Sequence, residues 1–147
     1  MENKRFVRHV LKPGYAIILA GSILDNIFYN TNWFLLGSLI GFVWLCLGLA
    51  GIFLSLKELK KGEGFMLVQS GPFALTRNPM LAANFFGIMP GLCLLLNTNL
   101  GILGIGVSIF LFYRHIQWEE ADLKDQFGDA YLAYQDRVAR LVPYVFF

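Results

Sequence analysis

Residues 33–56, WFLLGSLIGFVWLCLGLAGIFLSL, contain no Asp, Glu, Lys or Arg. A helix needs about 20 such residues to cross roughly 30 Å of hydrocarbon. This stretch is long enough alone. Outward from it, three more apolar runs cover about 13–29, 79–96 and 100–113. These reach spanning length only with their flanks. Short polar turns, Asn30-Thr31-Asn32 and Asn97-Thr98-Asn99, join the first run to the second and the third to the fourth. Each reads as a tight helical hairpin. The expected fold is therefore all-α: an integral membrane bundle of about four transmembrane helices.

Composition agrees. The 147-residue chain is 56% hydrophobic and 15% charged, with a mean hydropathy of +0.57. Soluble domains carry about 25% charged residues. A net charge of +2 is too small to argue for a nucleic-acid partner. Cys46 and Cys93 each lie inside an apolar run, with no metal spacing and no disulfide framework, and read as small buried hydrophobes. No metal is expected.

The placement of the cations sets the topology. Lys4, Arg5, Arg8 and Lys12 precede the first run. Lys57, Lys60, Lys61 and Arg77 lie between the second and third. Arg114, Lys124, Arg137 and Arg140 follow the fourth. Neither hairpin contains one. Basic loops stay in the cytoplasm, which predicts both termini and the central loop on that side. The basic start before residues 16–24 imitates a secretory signal, but three further apolar runs follow it. The economy of four crossings points to a bacterial or archaeal inner membrane. Gly37 with Gly41, and Gly87 with Gly91, form small-xxx-small pairs. They are expected to pack the bundle internally; a homo-oligomer is the other use of such pairs.

The last third is charged, yet Leu123, Phe127, Tyr131, Tyr134 and Val138 recur at spacings of three to four. That periodicity predicts a cytoplasmic C-terminal amphipathic helix over about 119–140, broken or bent near Gly128.

Two segments are too polar to be mere connectors. The first, residues 70–81, reads SGPFALTRNPML. Asn78 is suited to cap a helix that Pro79 begins, and such a start presents free N–H groups to a carboxylate. The second, residues 114–120, reads RHIQWEE. Ionisable residues near the membrane plane are functional candidates. Adjacent carboxylates on a helix point to different faces, so one of Glu119 and Glu120 lines a given pocket. Asp25, alone among acids on the far side, could cap a helix or serve a transporter. His9 lies in a basic cluster and reads as exposed.

Together the segments resemble a known family. Gly71-Pro72-Phe73-x-x-x-Arg77-Asn78-Pro79-Met80 is similar to the G-[PV]-[YF]-x-x-x-R-H-P-x-Y segment of isoprenylcysteine carboxyl methyltransferases. Glu119-Glu120-x-x-Leu123-x-x-x-Phe127-Gly128-x-x-Tyr131-x-x-Tyr134-x-x-x-Val138 is similar to that family's tail, and Pro143 fits its close. The resemblance covers roughly 57–145. Asn78 stands where the family has His, Leu81 where it has Tyr, and His115 where it has a substrate-binding Arg. The Asn-Pro-Met variant also resembles phosphatidylethanolamine N-methyltransferases.

The resemblance implies one domain over 1–147, with an N-terminal hairpin over 1–56 and a cofactor-binding core and tail over 57–147. It implies S-adenosylmethionine as cofactor and methyl transfer to a lipophilic small molecule or membrane lipid at the cytoplasmic face. Phe65, Met66, Leu67, Val68 and Phe73 would line the cofactor site. Asn78, Pro79, Met80 and Leu81 would hold its methionine end, and Glu119 would contact its polar groups. Arg114 and His115 would meet the substrate. His115 or Glu120 would take the proton from an amine acceptor. A cofactor- or lipid-binding protein without turnover, and a small four-helix transporter, are the competing readings.

Overall fold

Asn3 opens α1 (Lys4–Phe28), its Oδ1 accepting the Arg5 N–H at 3.0 Å. α2 (Leu35–Lys61) ends on Lys60 and Lys61, cations that complement the negative C-terminal end of a helix. A 3-10 turn (Gly71–Ala74) leads to α3 (Pro79–Leu95), which begins on proline because the first turn needs no N–H there. α4 (Gly101–Phe127) runs to Gly128, and α5 (Asp129–Gln135) follows. This computed structural model describes residues 3–29, 35–62 and 66–142; the expected turn at 30–32, Phe65 and Pro143 lie outside them. No strand occurs among the described residues.

The helices pair as two antiparallel couples, α1 with α4 and α2 with α3. At one end Asp25 Oδ2 accepts the Thr98 hydroxyl at 2.8 Å and the N–H groups of Asn99 and Leu100 at 2.8 and 3.0 Å. One carboxylate thus satisfies free donors at the start of α4. At the same end Asn26 donates to the Leu96 carbonyl and Ser38 to that of Leu95. The α2–α3 seam depends on close backbone approach. A Cβ on Gly48 would stand 2.7 Å from the Ile88 nitrogen, and one on Gly87 would stand 2.5 Å from the Gly48 Cα. Gly41 meets Gly91 in the same way. These pairs pack helices of one chain, as small residues do in lipid; Gly37 is only half-buried.

α3 is interrupted by a π segment, Asn84–Ile88. Pro90 explains part of it. Proline has no N–H and its ring clashes with the carbonyl four residues earlier, here that of Phe86. Trp44 Nε1 donates to that freed carbonyl at 2.6 Å. The main core lies between α1, α3 and α4, around Val10, Ile18, Leu81, Phe85, Phe112 and Ile116.

α1 and α2 are each long and apolar enough to cross a membrane. α3, at about 1.5 Å per residue, falls short of roughly 30 Å. α4 has length, but its second half is charged. Leu39, Phe42, Leu47 and Phe53 point outward from α2, a surface that suits lipid rather than water. Cys46 shares that outward face instead of being buried, whereas Cys93 is buried. The tail over 119–140 is divided at Gly128, where a break was expected. α4 carries it to Phe127, Gly128 turns it with φ +52° and ψ −131°, and α5 is short. Tyr131, Tyr134 and Val138 then pack with Leu67, Leu123 and Phe127 as a second cluster.

Candidate functional site

At the end of the bundle opposite Asp25, residues 136–142 lie as a strap over the approach to α3. The Arg77 N–H donates to the Ala139 carbonyl at 2.9 Å. The Arg140 carbonyl accepts from the Thr76 hydroxyl at 3.0 Å and from Asn78 Nδ2 at 2.9 Å. The Tyr134 hydroxyl donates to the Phe73 carbonyl at 2.6 Å. Asn78 does hold the position before Pro79, but its side chain makes no capping bond to the helix. It is committed to the strap.

Beneath the strap, Glu120 is bracketed by two guanidiniums. Arg140 Nε and Nη2 donate to its two oxygens at 2.9 and 2.8 Å. Arg77 Nη1 stands 2.8 Å from Glu120 Oε1, with only 2% of the Arg77 side chain exposed. The Glu120 bonds raise the Arg140 pKa above its ordinary value. The Arg77 guanidinium is thus already paired with a carboxylate of the fold. Glu120, expected as a proton acceptor, has both of its oxygens engaged by the Arg77 and Arg140 side chains. Tyr131 is buried beside them, and burial first, then the Glu120 charge, push its phenol pKa up against the pull of Arg77 and Arg140.

Glu119 is treated differently. It too is buried, yet no described side chain forms an ion pair with it, and Oε1 accepts the Asn3 N–H at 2.8 Å. Burial pushes its pKa up, the Asn3 N–H opposes this, Asp122 adds to it, and the charge of the chain's amino terminus lowers it. Glu119 lines two spaces. One is a closed cavity of about 10 Å³ shared with Arg77, Asn78, Glu120, Tyr131 and Tyr134. The other is an open groove of about 380 Å³ between α1 and α4. His115 lines that groove. Its Nδ1 lies 2.9 Å from the Leu111 carbonyl. A carbonyl only accepts, so Nδ1 carries the proton, and in the neutral ring Nε2 keeps its lone pair. His9 meets the His115 ring edge-on at 5.0 Å between centroids.

The expected site residues thus separate into groups. Asn78, Glu119 and Glu120 meet around the closed cavity. Met66, Leu67 and Val68 line a distinct space of about 390 Å³ with Glu58 and Ser70. Phe73, Pro79 and Leu81 are buried in the fold, and Met80 is half-buried. His115 faces the α1 groove, whereas Arg114 is exposed. Phe65 lies outside the described residues. Sequence reasoning missed the pairing roles of Arg77 and Arg140, which read only as cytoplasmic anchors, and the contribution of α1. No local signal marks a partner 20 residues or more away in sequence.

No curated protein and no solved structure matches the chain. A family model, phospholipid methyltransferase, matches residues 38–130. That span runs from α2 into α5 and includes Arg77, Asn78, His115, Glu119 and Glu120. The match covers more than half of the chain: this protein belongs to the phospholipid methyltransferase family.

Proposed function

We propose that the protein is a membrane methyltransferase that uses S-adenosylmethionine and acts on a lipid headgroup at the cytoplasmic face, with four helical segments embedded in the bilayer. The observation that carries this reading is the meeting of the two polar segments at a buried ion pair, Arg77 with Glu120. Both segments lie inside the family match. The helices around them are predominantly apolar, and Asp25, the carboxylate a transporter would need, is engaged as a helix cap.

The residues fit such a cofactor. Arg77, buried and paired with Glu120, holds the polar end of the site. Leu67 and Val68, beside the Glu58 carboxylate and Ser70, suit a flat ring with hydroxyls. When bound, S-adenosylmethionine supplies an electrophilic methyl group. The chain does the rest. Arg140 and Arg77 fix Glu120, and Glu120 thereby fixes the strap over Asn78. Glu119 stands between the closed cavity and the groove, where it can touch cofactor on one side and acceptor on the other. An amine acceptor must lose a proton, and the open Nε2 of His115 is suited to take it. Orientation of the two reactants can supply several kcal/mol of such a rate gain.

Calorimetry of S-adenosylhomocysteine with the detergent-purified protein tests the reading. Micromolar binding, lost in Glu119→Ala and Arg77→Ala, is expected. A folded protein that binds none of it overturns the cofactor assignment. A His115→Ala variant with wild-type turnover would end the proton-acceptor role.

A further inference from the structure

We infer that Tyr15 is a positioning residue of the site: through Asn84 it sets the rotation of the first turn of α3, and with it Asn78, against the half of α3 that is fixed to α2. Its bearing on methyl transfer rests on the reading above. Tyr15 precedes residue 38 and so lies outside the family match.

α3 consists of two α-helical pieces, Pro79–Ala83 and Met89–Leu95, joined by the π segment. A π turn closes its hydrogen bond one residue later than an α turn, and each residue of an α-helix turns it by about 100°. The segment therefore decides which way the first piece faces once the second is fixed. The second is fixed by the glycine seam, since Gly91, and Gly87 within the π segment, lie against the α2 backbone where no side chain fits. The first piece carries part of the site. Asn78 opens it and donates to the Arg140 carbonyl of the strap at 2.9 Å, and Leu81 is fully buried in the core.

Pro90 and Trp44 account for the segment at the Phe86 carbonyl. They leave its beginning at Asn84 unexplained. Asparagine is a weak helix former, and a buried amide is costly unless its hydrogen bonds are made. Asn84 is 6% exposed, and both ends of its amide are used. Nδ2 donates to the Met80 carbonyl at 2.8 Å, and Oδ1 accepts the Tyr15 hydroxyl. The Met80 carbonyl also accepts the Asn84 backbone N–H, so the Asn84 side chain clamps the turn that leads into the π segment. The hydroxyl that orients this clamp comes from the other couple of helices. α1 pairs with α4, which carries His115 and Glu119, whereas Asn78 belongs to α3. The Tyr15–Asn84 bond thus ties the α3 part of the site to the couple that holds the α4 part.

The full chain, isotope-labelled at its asparagine side-chain amides, is followed by NMR in micelles, and Asn78→Asp identifies the Asn78 signals. Tyr15→Phe should shift those signals, lower the melting temperature and weaken S-adenosylhomocysteine binding about tenfold, the scale of one lost hydrogen bond. In Tyr15→Phe/Asn84→Leu both polar partners are gone, and the Met80 carbonyl keeps its backbone donor, so no buried group is orphaned. Replacing both partners of a hydrogen bond can be nearly neutral for stability. The double variant should therefore regain the melting temperature but neither the Asn78 signals nor the affinity. Recovery of all three would reduce the pair to packing and overturn the positioning role, as would wild-type Asn78 signals in Tyr15→Phe. Should Tyr15→Phe fail to fold, the double variant alone decides: displaced Asn78 signals support the role and wild-type ones overturn it. If S-adenosylhomocysteine binds none of the proteins, wild type included, while the Asn78 signals still follow Tyr15, the methyltransferase reading falls and the positioning of α3 stands.

Discussion

Glu119 and Glu120 differ by one position on a helix and by everything that surrounds them. Glu120 is neutralised from two sides, so its removal strands two guanidiniums. Glu120→Gln should cost about 3–5 kcal/mol, the scale of breaking a buried pair, read as a lower chemical-denaturation midpoint in detergent. Glu119 has the opposite sign. Its folded-state pKa is raised, chiefly by burial. Its contribution to stability is therefore full below the ordinary glutamate value of about 4.3 and is lost as pH rises through the raised value. Glu119→Gln should melt no lower than wild type at neutral pH, and its advantage should vanish as pH falls below that ordinary value. A melting series against pH checks this, and a variant less stable at every pH would refute it. The motif made this pair legible as chemistry. Which of the two was anchored was not legible, because the partners Arg77 and Arg140 are placed by the strap, and the strap has no periodicity to read.

At the scale of the element, hydrophobic runs and hairpin polarity located the helices well. The α2–α3 seam could be anticipated from its glycines, since Gly41 and Gly48 do approach Gly91 and Gly87. The breaks were harder. A proline at 90 signals trouble for Phe86, but that Trp44 from another helix satisfies the freed carbonyl depends on packing no single segment encodes. The tail was more legible. The three-to-four spacing of Leu123, Phe127, Tyr131 and Tyr134 survives, and at the expected break Gly128 takes a positive φ. Space is open around a Cβ at that position, so the obstacle to a side chain is conformational. Gly128→Ala should therefore cost about 1–3 kcal/mol, seen as a lower melting temperature. A wild-type melting temperature would mean that α4 and α5 can merge without loss.

For the molecule as a whole, charge asymmetry is the governing feature. Every arginine and lysine of the described helices falls outside the two short hairpins, and the hydrogen bonds of Asp25, Asn26 and Ser38 gather both hairpin ends at one side. The strap, the paired glutamates and the α1 groove gather at the other. In a variant lacking Cys46 and Cys93, an Asn99→Cys thiol should react with an impermeant maleimide from outside intact cells. A Gln126→Cys thiol should react only after permeabilisation. The reverse pattern would invert the membrane orientation argued above. The family was legible from two motifs, and the family model reaches from α2 into α5. α1 was read as hydrophobicity alone, because nothing in its own sequence announces that Asn3 will reach Glu119.

The strap has a consequence in time. Asn78 and Thr76 are held by the Arg140 carbonyl, and Arg140 is translated after every helix is complete. A chain finished only as far as α5 therefore has all its helices but lacks the carbonyl that holds Thr76 and Asn78.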